Sequence, residues 1–189
     1  MPRCAAIAAL AILLTILSTT LIAQSPAANQ AAPPPPPQTL SPAADVLRSY
    51  TGLKTNILKA AQNMPAESYS FRPTPDIRTF ARVVNHVTEA QSRSCGTLNE
   101  TAPASRPQAP PETADKATIV AALQASFAEC DKAFAALTEP NMLQTFTVGT
   151  TTRARISILW ATVAHDDEQY ATLALYMRLK GLTPPSSEK

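Results

Sequence analysis

Glycine is scarce in this chain, four residues in 189, and histidine scarcer still, with two. So few glycines, against long Ala/Leu-rich runs and little β-branched alternation, disfavour a sheet and point to an all-α protein. Charge of one sign is also missing. A formal net charge of +2, carried by scattered basic residues, is too mild for a nucleic-acid binder, so DNA and RNA are not expected partners. Hydrophobic residues make up 45% of the chain, enough for one core. With the ends discounted, that core belongs to a single domain of roughly 140 residues.

What is present begins with an export pattern. Met1-Pro2-Arg3 gives a short positive start, Ala5 to Leu17 an uncharged apolar stretch, and Leu21-Ile22-Ala23 a cleavage context, so residues 1–23 read as a signal peptide. The expected location is periplasmic or secreted, with no membrane contact once the signal is removed; the alternative is a retained anchor. Cys4 precedes the apolar run and would leave with it. Residues 24–43, Ala, Gln, Asn and Ser around Pro33 to Pro37, cannot pack and form an extended spacer. A proline-recognition ligand is the sharper alternative there.

Residues 44–187 carry four helical segments. Ser41-Pro42 starts helix one, which runs through Val46, Leu47, Tyr50, Leu53, Ile57 and Ala61 to a stop at Pro65. Thr74 and Pro75 are the expected cap and first position of helix two, whose stripe Ile77, Phe80, Val84, Val87, Gln91, Ser94, Leu98 turns polar in its second half. Tyr69 and Phe71, just before it, should fold onto the bundle end. Helix three spans about Ala114 to Leu137. Pro140 to Thr151 reads as a loop anchored by Phe146 and Val148 with Gly149 as its joint, before Thr151 or Thr152 caps helix four. Ile156, Ile158, Leu159, Trp160 and Val163, then Leu173, Leu175, Tyr176 and Met177, make helix four the most buried, and Gly181 with Pro184-Pro185 ends it.

Thr101 to Thr113 carries Pro103, Pro107, Pro110 and Pro111, too long and too rich in proline for a simple turn. Fully extended, it spans about 40 Å at roughly 3.3 Å per residue, enough to cross a bundle and start helix three at the same end as helix two. Parallel helices put Cys95 and Cys130 at nearly equal height, and equal height permits a disulfide. In an exported protein that pair is expected to be oxidised. The alternative is two small buried hydrophobes, with Cys130 beside Phe127 and Phe134.

Both histidines stand at His-x-x-Glu spacing, His86 with Glu89 and His165 with Glu168, inside an otherwise helical context. A second histidine four residues after His165 would complete the pair that divalent metals favour, but the residue is Gln169. An acidic triplet, Asp166-Asp167-Glu168, interrupts the apolar helix and needs a reason.

The segment RPTPDIRTFARVVNHVTEAQ (72–91), followed far downstream by LWATVAHDDEQYATLALYMRLKGLTPPSS, resembles the DinB-like bundles of the DinB/YfiT superfamily over about residues 44–187. The resemblance implies an all-α four-helix bundle with a long crossover between helices two and three. It does not imply the DNA polymerase that shares the name. Many members bind a divalent metal through one histidine in helix two and a His-x-x-x-His pair in helix four, and some use it for thiol transfer or amide hydrolysis. His86 and His165 match the first two positions, and Gln169 replaces the third. The implied site is one divalent ion, zinc, nickel or manganese, on His86, His165 and Gln169, with Glu168 as general base; family members are often dimers, which leaves a homodimer open. A non-catalytic module is the alternative, binding a small molecule or a protein in a groove lined by Gln91, Ser94, Asp167 and Tyr170.

Overall fold

A computed structural model describes residues 39–188. The expected signal peptide and most of the spacer lie outside these residues. Among the described residues no helix is long and apolar enough to cross a membrane.

Helix α1 (Pro42–Asn63) starts as the Ser41-Pro42 pair predicts, with the Ser41 hydroxyl accepting from the Ala44 amide. Helix α2 (Phe80–Leu98) starts later than expected. Thr74 and Pro75 lie in a turn, with the Ile77 amide on the Thr74 carbonyl, and Thr79 is the cap, its hydroxyl accepting from Arg82 at 3.0 Å. The delay has a cause in the preceding loop. The Phe71 and Tyr69 carbonyls accept from the Phe80 and Ala81 amides at 2.9 Å each, satisfying first-turn donors that a helix begun at Pro75 would have committed internally. Tyr69 is buried with its hydroxyl on the Ala61 carbonyl, and Phe71 packs edge-on to Tyr176, as expected of bundle-end anchors.

The proline-rich crossover descends along α2. Arg106 lies across Gly96, the Pro107 carbonyl accepts from Ser92, the Pro110 carbonyl accepts from Asn85, and Glu112 accepts from Thr79. As residue numbers rise on the crossover they fall on α2, so helix α3 (Lys116–Ala135) starts beside the start of α2. A Cβ at position 96 would come within 2.7 Å of the Arg106 side chain, so glycine there lets the strap lie close. Cys95 is 15 residues into α2 and Cys130 14 residues into α3, and the two are disulfide-bonded with Cα atoms 4.9 Å apart. The crossover is not wholly extended: Pro103–Ser105 form one 3₁₀ turn.

The expected loop before helix four is instead a hairpin, strands β1 (Thr145–Val148) and β2 (Thr151–Ala154) paired antiparallel, with Gly149 at φ 64° in the two-residue turn. Neither Thr151 nor Thr152 caps the last helix. Helix α4 (Arg155–Leu179) begins after Ala154, and its first amides, Arg155 and Ile156, donate to the Gln144 and Met142 carbonyls at 2.8 and 3.0 Å. Arg155 is buried against Gln144 and the Phe146 ring, which ties the hairpin to the helix start. Trp160 and Leu175 are exposed, 42% and 51%, rather than inward. Ile156 to Val163 is apolar nearly all round, so periodicity alone could not choose the buried face.

The helices enclose one core, α2 packing on α3 and α4, and α1 on α4 and α3. Tyr50 stacks on Phe134 with ring centroids 3.8 Å apart, and its hydroxyl donates to Asp131 at 2.8 Å, with the Phe127 carbonyl 3.1 Å away. Lys116, at the start of α3, donates to the Gln62 and Met64 carbonyls at the end of α1, so these two helices run antiparallel. Gly181 at φ 75° and the Leu182 amide on the Met177 carbonyl close α4.

Candidate functional site

The polar half of α2 faces α4, and there the only two histidines meet. His86 Nε2 and His165 Nε2 lie 3.1 Å apart, with the side chains 28% and 25% exposed. Two nitrogens each about 2.0–2.1 Å from one tetrahedral ion would stand roughly 3.3–3.4 Å apart, so the spacing is of the right size for shared coordination. A carboxylate stands behind each ring. Asp166 Oδ1 is 3.5 Å from His165 Nδ1, and Glu89 Oε2 is 3.8 Å from His86 Nδ1.

Both carboxylates are themselves held. Asp166 is 1% exposed, and its Oδ2 accepts from Gln91 Nε2 at 2.8 Å, while Gln91 Oε1 accepts from the Ser126 hydroxyl at 2.8 Å. One chain of bonds therefore runs from α3 through α2 to α4. Glu89 is clamped by the Arg82 guanidinium through two bonds of 2.8 and 3.0 Å. By contrast, His165 Nδ1 and Asp166 Oδ1 are buried and make no hydrogen bond.

The arrangement suits a cation between the rings. With a proton on each Nδ1, both rings face a carboxylate, but two Nε2 lone pairs then point at each other, which only a cation relieves. A bare pair must move one proton to Nε2, leaving one Nδ1 lone pair aimed at a carboxylate. Burial, then Arg78, His165 and Arg82, push the His86 pKa down and favour the neutral ring a metal requires, against the pull of Glu89. The Arg82 hydrogen bonds hold Glu89 below the usual carboxylate range. Burial pushes Asp166 up despite His165 and Gln91.

The expected site residues divide. His86 and His165 come together, and Gln169 is buried one turn beyond His165 with no side-chain hydrogen bond among the described residues. Glu168 is exposed and touches neither histidine; the carboxylate behind His165 is Asp166. Among the described residues no three of His, Cys, Asp or Glu converge as a ligand set. Of the four expected groove residues, Asp167 is exposed, Tyr170 is bonded to Ser186, Gln91 is spent on Asp166 and Ser126, and Ser94 alone lines a cleft beside His165. That cleft, of about 260 Å³, also takes Arg93 and Arg153, which no motif marked. Asp166 was hidden because residues adjacent in sequence diverge by about 100° on a helix.

Four helices, a crossover and a histidine pair in the α2–α4 seam define the class: an all-α bundle with a polar centre built from facing helices. The profile of the DinB superfamily matches residues 49–173. The chain belongs to that superfamily. Its fold is similar to the crystal structure of a DinB-like protein from Bacillus cereus ATCC 10987, at a TM-score of 0.59 and 19% identity, covering 74% of this chain and 93% of that one. No curated protein matches this sequence.

Proposed function

We propose that this chain is an exported DinB-superfamily protein that holds one divalent metal, zinc, nickel or manganese, and uses it in hydrolysis of a small substrate. The observation that carries the reading is the pair of Nε2 atoms 3.1 Å apart with a carboxylate behind each Nδ1. His86 and His165 would hold the ion, with the buried Gln169 side chain, one turn beyond His165, as the candidate third protein donor. When bound, such an ion supplies Lewis acidity. With the ion in place, Asp166, fixed by Gln91 and Ser126, and Glu89, fixed by Arg82, would favour a proton on each Nδ1 and leave each Nε2 lone pair free to bind. Glu168, exposed on the rim, is left without a positioned role. Support for export comes from the N-terminal pattern and from the Cys95–Cys130 disulfide, a bond that persists in oxidising compartments.

Elemental analysis of the purified, untagged chain beside His165→Ala tests the reading. Stoichiometric zinc, nickel or manganese in the wild type and its loss in the variant are expected. A wild-type chain that retains no metal after incubation with each ion would overturn it. The second reading, a binding module without catalysis, is favoured by one observation, the lack of a third His, Cys, Asp or Glu at the pair among the described residues.

A further inference from the structure

We propose that the cleft beside His165 binds a small organic oxyanion, a carboxylate or phosphate ester with an apolar body, whose anionic end is held by Arg93 of α2 and Arg153 of β2. The cleft is walled by three elements: α2, the hairpin and the first turns of α4. Its lining contains two arginines and no Asp or Glu. Arg82 is clamped on Glu89, Arg106 donates to the Thr101 carbonyl and Arg155 donates to Gln144. Arg93 and Arg153 are in no ion pair among the described residues, and the Arg153 side chain makes a single hydrogen bond, from Nη2 to the Ser157 carbonyl. Two arginines without an ion-pair partner among the described residues, in a lining that holds no carboxylate, are a demand for an acceptor.

The hydroxyls sharpen that demand. Ser94 donates to the Ala90 carbonyl, and Thr162 donates to Ser94 or the Ile158 carbonyl, so their protons are used within the protein. What the lining then offers a ligand is the two arginines together with the apolar Val148, Ile158 and Ala161. At about 260 Å³ the cleft is smaller than the roughly 300–1,000 Å³ of drug-sized sites, so its occupant is small. His165 lines the same cleft, so a bound molecule can present an end to the histidine pair. The identification of such an end as the reacting one rests on the metal reading above; recognition of the anion does not.

The test is isothermal titration of the full chain in EDTA with phenylacetate, phenyl phosphate, phenylacetamide and inorganic phosphate. At least one organic anion should bind tenfold or more tighter than the amide, its identity separating carboxylate from phosphate ester, and Arg93→Gln and Arg153→Gln should each weaken it at least fivefold. Arg48→Gln, a surface control, should change nothing, and Arg153→Lys, which keeps charge without the fork, should fall between if Arg153→Gln melts early. The proposal is overturned if neither anion exceeds the amide, if inorganic phosphate binds as well as the organic anions, or if the arginine variants bind like wild type. Anion binding in a chain that never takes metal would sink the metal reading and leave the cleft standing; metal without anion binding would do the reverse.

Discussion

Two carboxylates are buried among the described residues, Glu129 at 6% and Asp166 at 1% exposed, and the protein treats them oppositely. Glu129 sits where α2 ends, next to the disulfide. It accepts from Asn99 at 2.9 Å and from the Thr101 hydroxyl, and Lys132 stands 3.3 Å away. Asp166 sits in the α2–α4 seam with one oxygen bonded to Gln91 and the other unbonded before His165. Burial pushes both pKa values up; at Glu129 the bonds outweigh it and the net shift is down, at Asp166 they do not. A satisfied buried charge is a structural fastening. An unsatisfied one beside a histidine pair stores a demand that a proton on Nδ1, or a cation beyond it, answers.

The largest expected effect breaks the structural end. Replacing Cys95 and Cys130 by serine removes a crosslink over 35 residues and should cost about 3 to 4 kcal/mol in urea unfolding, with metal content per folded molecule unchanged. Loss of metal from the still-folded variant would deny the separation of the two regions. Next, Gln169→His would complete a three-imidazole set in the seam. Zinc or nickel affinity, measured by competition with a chromophoric chelator, should rise roughly hundredfold, about 2.7 kcal/mol. A flat result would mean that the side chain at position 169 does not reach the pair.

Asp166→Asn probes the unsatisfied carboxylate itself. Asparagine can still accept from Gln91, but its amide then faces His165 Nδ1 and favours the tautomer with the proton on Nε2. Zinc affinity should drop about tenfold, close to 1.4 kcal/mol, while thermal stability holds or rises because a buried charge is gone. If affinity is unchanged and the melting temperature falls, Asp166 is a structural carboxylate like Glu129.

The two regions were unequally legible. The structural end could be read because it depends on chain arithmetic: prolines in 101–113 set the crossover, the crossover sets parallel helices, and parallel helices set Cys95 beside Cys130. The histidine pair was legible from residue type, His-x-x-Glu spacing and the family resemblance. Its supports were not, since Gln91 and Asp166 are 75 positions apart and Ser126 lies on a third helix. Spacing favoured Glu168 over Asp166 because i, i+3 residues neighbour one another on a helix surface, yet that surface here faces solvent. The hairpin escapes because two four-residue strands carry too short an alternation to separate from loop, although Phe146 and Val148 do pack, half-buried, against the core as the anchor reading expects.

The smallest effect tests the other half of the comparison. Glu129→Gln keeps the shape of the side chain and removes its charge. Because the folded pKa lies below the unfolded one, the unfolded chain binds more protons as the pH drops. The charge therefore contributes fully above about pH 4.3, and its contribution is lost as pH falls through the folded value. The exposed Lys132 adds little to this, so Asn99 and Thr101 set the size, and the variant should be less stable by roughly 1 kcal/mol at pH 7. At pH 3 the difference should shrink towards zero. Asp166→Asn should show the opposite trend, since the raised pKa of Asp166 makes its ionisation a cost that grows as pH rises above the ordinary carboxylate range. Urea unfolding of both variants at the two pH values decides the matter: parallel trends would mean that the two carboxylates are held alike, and the contrast between a fastened end and a poised seam would fail.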